Sequence, residues 1–409
     1  MPHDEAVSAS PSPGDGGART DPAALPLHGI RVLDFTSMVS GPYCTRLLAD
    51  MGCEVIKVES VTGDLIRQAP PVTAHGSRYF HAFNGGKRSI AIDLKHPDGA
   101  ALARRLALRC DVLVENNRPG VMAALGLGAN ALRADHPALV YCAISGFGAD
   151  GPMRDWPAYA PIVHALSGFD TVFMRAQGAD SAPPVASVQV ADVLTGAFAF
   201  GAIQSALIKR FRTGVGDVID STLIESAMAL ITGDLQVPQL LPQQRIQTFT
   251  AVRAADGFVM PVILTEKAFA SLARIIDPQW PNDPRFAGPR ARAEHGAALR
   301  AGIEAWTVQR PARECQETLM NADVPCACYA TPADVLNNPH LLARDSFTRL
   351  GDGAGAFLVN NAPFRFASVA TPIRGAAPAL GAHTRELLQT LLGLSNGEID
   401  ALHAAGAVA

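Results

Sequence analysis

The sequence predicts an α/β protein, with a Rossmann-like large domain on a parallel sheet and a smaller α+β domain set into the chain. Three observations predict it. From residue 29 onward, short β-type runs alternate with amphipathic helical patterns, which implies a parallel sheet covered on both faces. The chain has 409 residues, more than one simple core takes, and so suggests two domains. Pro, Gln and Leu crowd together at 236–247, and a strand-and-turn pattern around Asp256-Gly257 follows them.

The elements follow in order. Residues 1–25 are rich in Ser, Pro, Gly, Ala and Asp, lack an apolar signal-peptide core, and read as a disordered tail. Residues 31–35 read as a strand, 43–51 as a helix ended by Gly52, and 54–59 as a second strand. Residues 97–109 carry Ala and Leu at helical spacing with basic residues late, the order the helix dipole favours. Strands follow at 111–115 and 139–144. The apolar segment 193–208, bounded by Asp192 and Lys209-Arg210, is too short to span a membrane and reads as a buried helix. Residues 248–263 alternate like strand and turn, helical patterns run to 321, and 383–392 reads as a late helix. The expected division is therefore a tail at 1–25, a large domain at 26–235, a small domain at 236–339 and a return to the large domain at 340–409.

Composition narrows the function. The formal net charge of −4, with no Lys/Arg-dense run, gives no support to nucleic-acid binding. Seven cysteines without a repeated metal-type spacing read as free thiols of a reducing cytoplasm, and Cys326-x-Cys328 lacks the histidines of a zinc site. After the first strand there is no G-x-G-x-x-G, so a dinucleotide cofactor is not signalled, and no Walker-type loop occurs.

Short motifs carry the rest: 31–35 (RVLDF) before Gly41-Pro42, 55–59 (VIKVE), 87–90 (KRSI), 114–120 (VENNRPG), 144–148 (ISGFG), 192–196 (DVLTG), Ala255-Asp256-Gly257, 323–326 (DVPC) and 380–386 (LGAHTRE). In this order they resemble the class III coenzyme A-transferases, the family of formyl-CoA and carnitine-CoA transferases, from about residue 26 to 408. The resemblance implies two chains interlocked like links into a homodimer. It also implies acyl-CoA and small carboxylic acids as substrates, with no tightly bound cofactor and no metal.

Asp192 has two readings. By position it is a helix N-cap, a carboxylate accepting backbone N–H bonds. By resemblance it is the catalytic nucleophile. The two are compatible, since a carboxylate beside a helix N-terminus stays ionised and an ionised carboxylate is what attack on a thioester needs. The implied chemistry passes through an aspartyl anhydride and an aspartyl-CoA thioester.

The resemblance places the coenzyme A cradle on three stretches. The first is the loop after strand one, Ser37, Met38 and Val39; the second is Lys87, Arg88, Ile92 and Lys95; the third is Asn116, Asn117, Arg118 and Val121, with Tyr159 beyond. Read from the residues alone, Lys87, Arg88 and Lys95 are also an ordinary solvated surface, and Pro119-Gly120 an ordinary helix opening. Ser37, Val39 and Ser60 depart from formyl-CoA transferase, which carries a histidine, a glutamine and an arginine there, and Asn117 stands where the family usually has an aromatic. Residues 241–252 contain no glycine where that enzyme has a glycine-rich loop, so no oxyanion donor is assigned.

The same fold family contains α-methylacyl-CoA racemases, which use a His, an Asp and a Glu. Here those positions are Tyr159, Asp192 and Glu266, and a neutral tyrosine is a poor base. Glu266 otherwise reads as an exposed residue opening a helix, His164 as a satisfied buried histidine, and Asp170 as a turn residue after Gly168. A non-catalytic CoA-binding protein is the remaining alternative.

Overall fold

The computed structural model describes residues 21–74, 76–177, 182, 188–239 and 250–409. Six strands form one sheet: β1 (Arg31–Asp34), β2 (Glu54–Glu59), β3 (Arg88–Ala91), β4 (Val112–Glu115), β5 (Val140–Ser145) and β6 (Val218–Thr222). Their spatial order is β3-β2-β1-β4-β5-β6, and every pairing is parallel. Strand order reverses between β1 and β4, so a crevice opens there at the carboxyl edge of the sheet.

The connecting helices used below are α1 (Ser40–Asp50), α2 (Arg78–Asn84), α3 (Pro97–Ala107), α4 (Val121–Ala124), α5 (Ala160–Leu166), α6 (Phe169–Gln177), α7 (Val190–Thr213) and α8 (Leu223–Leu230). The central strands are apolar throughout because both faces are covered. On one face Val32, Val112 and Val140 pack against Leu47 and Leu48 of α1 and Ala199 and Ile203 of α7. On the other, Leu33, Ile56 and Leu113 meet Leu102 and Leu106 of α3.

The last residues of the chain close that second face. Leu387, Leu388 and Ile399 enter its core, His383 N–H donates to Ser89 O at 2.9 Å, and Ile92 bridges Val408. A separate core, with Val259, Phe269, Leu272, Trp280, Ile303 and Leu319, lies under a three-stranded sheet of Val252–Arg253, Phe258–Pro261 and Cys326–Cys328. The turn at Asp256-Gly257 is closed by Ala254 N–H donating to Gly257 O at 2.9 Å.

Four expectations are corrected. Pro22–Ala24 forms a 3-10 turn capped by Asp21 and Leu25 is buried, so residues 21–25 belong to the fold; 1–20 lie outside the described residues. The first helix starts at Ser40 rather than 43, because Gly41 and Pro42 occupy its first turn, where backbone N–H groups need no intrahelical partner. The apolar helix runs 24 residues, long and apolar enough to cross a membrane by length and composition. Its Ala191, Thr195, Gly196, Ala199, Ile203 and Leu207 are nevertheless buried in the protein, which makes it a core helix. Asp170 lies in the first turn of α6 rather than in a turn.

Candidate active site

Asp192 sits in the first turn of α7, whose N-cap is Gln189, so the capping reading is corrected: no side-chain cap hydrogen bond is made there. Its side chain is half-buried. Burial pushes its pKa up to about 6, against which a hydrogen bond with the Ser40 side chain pulls it down. The carboxylate is thus ionised at neutral pH yet more basic than an ordinary aspartate, the balance expected of a nucleophile.

The approach of α7 to α1 depends on Gly196, one turn after Asp192. A Cβ there would lie 2.5 Å from Ser40 O and 3.2 Å from Cys44 N, contacts no side chain survives. Thr195 turns its hydroxyl back to Ala191 O at 2.6 Å, so the first turns of α7 present small residues toward α1.

Ser37, Met38 and Val39 line the loop between β1 and α1, at the crevice. Ser37 N–H donates to Asn116 Oδ1 and Asn116 Nδ2 donates to Ser37 O, both at 2.8 Å, a two-bond tie across the switch in strand order. Met38 has φ 66°, and its N–H points to Asp64 Oδ1 at 3.4 Å. Val39 is buried as the N-cap residue of α1. Asn117 N–H donates to Glu115 Oε2 at 2.7 Å. Lys95 and Arg118 are exposed past the ends of β3 and β4, and neither side chain has an ion pair among the described residues. Val121 is exposed at the start of α4, which Gly120 opens with φ 92°.

Three predicted ligand contacts do not reach that crevice. Lys87 is buried beneath the loop, its Nζ donating to Asp34 Oδ2 at 2.9 Å, Thr45 Oγ1 at 2.7 Å, Asn84 Oδ1 at 2.8 Å and Pro42 O at 3.2 Å. Burial brings its pKa down to about 8, with Asp34 opposing the shift. Burial would raise the Asp34 carboxyl, but Lys87 and Lys57 more than offset it and hold it below its usual value. Lys57 Nζ in turn donates to Thr36 O at 2.7 Å and pairs with Asp64 at 3.1 Å. The cation of the KRSI motif therefore shapes the site from below instead of meeting phosphate. Arg88 opens β3 at the opposite edge of the sheet, paired with Glu54 and Glu386 at 2.8 Å each. Ile92 is buried in the core.

Tyr159 is exposed as the N-cap residue of α5. Glu266 begins a helix of the second core, exposed and bonded to Arg292, which holds its pKa below the ordinary value. His164 is buried and its Nε2 accepts the Ala191 N–H at 3.1 Å, but its Nδ1 has no partner among the described residues, so the expectation of a satisfied histidine is corrected. The glycine-free stretch 241–252 falls largely on 240–249, outside the described residues.

Sequence reasoning missed Tyr79 on α2. Its hydroxyl is buried without a hydrogen-bond partner among the described residues, and burial together with the Asp192 charge pushes its pKa up. Its Tyr79/Phe83 spacing on a short helix signals only packing, and the rings do meet edge-on at 4.9 Å.

Comparison with known proteins shows the family. The sequence model of CoA-transferase family III matches residues 27–384. A succinyl-CoA–D-citramalate CoA-transferase from Chloroflexus aurantiacus is 34% identical, over 93% of this chain and 97% of that protein. A succinate–glutarate CoA-transferase from Agrobacterium fabrum is 33% identical, over 90% of this chain and 96% of that protein. The crystal structure of a CAIB/BAIF family protein from Brucella suis has a TM-score of 0.79 at 30% identity, covering 90% of this chain and 99% of that one. The chain belongs to CoA-transferase family III and is an enzyme of that class.

Proposed function

We propose that this family III enzyme moves coenzyme A from an acyl-CoA to a carboxylic acid through covalent intermediates on Asp192. The observation that carries this reading is the Asp192 carboxylate itself, desolvated to a pKa of about 6 and held against α1 by the glycine at 196.

A carboxylate oxygen of Asp192 attacks the thioester carbonyl; the C–S bond breaks, leaving an acyl-aspartyl anhydride and CoA thiolate. The thiolate attacks the aspartyl carbonyl, the donor carboxylate leaves, and an aspartyl-CoA thioester remains. The acceptor carboxylate attacks that thioester and expels thiolate, which then attacks the acceptor's carbonyl and restores the free carboxylate. No proton or ATP is consumed. Each tetrahedral step develops an oxyanion, and the unpartnered Tyr79 hydroxyl is the donor we assign to it. Lys95 and Arg118 supply free cations for the phosphates of coenzyme A, beside the Ser37–Asn116 tie. Small dicarboxylic acids are the substrate class we carry over from the succinate-using relatives.

Around this site we place a large domain of 21–235 with 340–409 and a small domain of 236–339, in a chain paired with a second copy. Exposed Val193, Phe198, Ile208 and Phe211 on α7 support such pairing, and seven free cysteines support a cytosolic setting.

Incubation with succinyl-CoA followed by hydroxylamine or borohydride tests the mechanism. Modification should map to residues 190–195 at Asp192, because anhydrides and thioesters react where carboxylates do not. Steady turnover with Asp192 unmodified would sink the covalent route, and solvent deuterium entering the α-carbon would point to racemisation.

A further inference from the structure

The helix that carries Asp192 begins without a cap of its own. Gln189 occupies the N-cap position and makes no side-chain hydrogen bond there. One of the first N–H groups of that helix, on fully buried Ala191, is satisfied from outside: His164 on α5 receives it at Nε2 over 3.1 Å. A nitrogen that accepts a hydrogen bond carries no proton, so the ring is neutral and its proton sits on Nδ1. That Nδ1 is buried and has no partner among the described residues. The bond to Ala191 is therefore the ring's hydrogen bond to the protein, and it is spent on the residue immediately before Asp192. The ring packs on Phe169 at 5.2 Å between centroids, and Ser167 Oγ donates to His164 O at 3.1 Å at the end of α5.

We propose that His164 is a positioning residue for CoA transfer, its neutral imidazole capping α7 in place of a local N-cap and fixing the backbone from which Asp192 projects. The inference rests on Asp192 as the nucleophile. Losing the cap leaves a buried N–H without an acceptor and lets the first turn of α7 move. A shift of the reacting oxygen by about 1 Å costs on the order of a hundredfold in rate. The coenzyme A contacts proposed above lie on the loops after β1, β3 and β4 and not on that turn.

The test compares His164→Leu, which removes the acceptor, with His164→Gln, which offers a side-chain carbonyl instead. In His164→Leu, kcat should fall about ten- to a hundredfold with KM for acyl-CoA unchanged. Hydrogen exchange at the Ala191 amide should quicken in the same variant while the rest of α7 keeps its protection. His164→Gln should recover most of both. Unchanged exchange at Ala191 in His164→Leu, or quickened exchange with normal kcat, would overturn the proposal. A uniform loss of protection along α7 would also overturn it, by showing a packing role. Asp192→Ala measured alongside separates the two readings. Residual turnover there overturns the nucleophile, whereas an inactive Asp192→Ala beside a fully active His164→Leu overturns only the positioning role.

Discussion

Gly196 and Ser40 meet so closely that a methyl group on the glycine would lie 2.5 Å from the serine's carbonyl oxygen. Four residues earlier on the same helix face lies Asp192, whose pKa the side chain of that serine pulls down. One missing side chain thus sets the distance between the candidate nucleophile and the start of α1.

Gly196→Ala should therefore separate the helices. The obstacle is backbone on both sides, Ser40 O and Cys44 N, which cannot rotate away. We expect a loss of roughly 1–3 kcal/mol of stability. In the variant that still folds, kcat should fall by at least tenfold. Urea denaturation and steady-state kinetics on one preparation check both.

Asp192→Asn should abolish turnover and stabilise the protein. The pKa of Asp192 is raised in the folded state to about 6, from about 3.9 in an unfolded chain. The folded protein then holds the proton more tightly, so ionisation opposes folding above about pH 6 and the opposition is absent below about pH 4. The gain should be about 1–2 kcal/mol at pH 8, after discounting for residual solvent access, and should vanish at pH 4. Equal urea midpoints at pH 8 would contradict the desolvation of this carboxylate.

The same shift predicts the acid limb of activity. For the wild-type enzyme kcat/KM should fall about tenfold per pH unit below pH 6, as Asp192 takes up its proton. A profile flat down to pH 5 would remove Asp192 from the rate-limiting attack.

Two lysines named by one sequence pattern should behave differently. Lys87→Met leaves the Asp34 carboxylate buried without the cation that bonds it and should cost about 3–5 kcal/mol. Lys95→Ala should leave stability within about 0.5 kcal/mol and raise KM for acyl-CoA about tenfold, more at low salt than at high. If Lys87→Met keeps full stability, the buried network is misassigned.

An interlocked pair of chains cannot part without local unfolding. Sedimentation at nanomolar concentration should still show a dimer, and a stable monomer would exclude the linked arrangement.

The sequence by itself determined the alternation of strands and helices, the family and the candidate nucleophile, because these are carried by local patterns. The apolar strands at 31–35, 54–59, 111–115 and 139–144 each find a counterpart in the sheet within a residue or two. The burial of His164 was legible, since its apolar neighbours announce it, but not its hydrogen bonding: Nδ1 has no partner among the described residues. What the ring satisfies could not be read, because Ala191 lies 27 positions away and they meet only when α5 packs on α7. Lys87 and Lys95 look alike as letters. Tertiary structure buried one under four acceptors and left the other in solvent, since a cation can be buried only where the fold gathers oxygens around it. The pKa of Asp192 was likewise decided by packing: sequence places a carboxylate at a helix start, which favours its charge, and only the fold adds the desolvation that raises it.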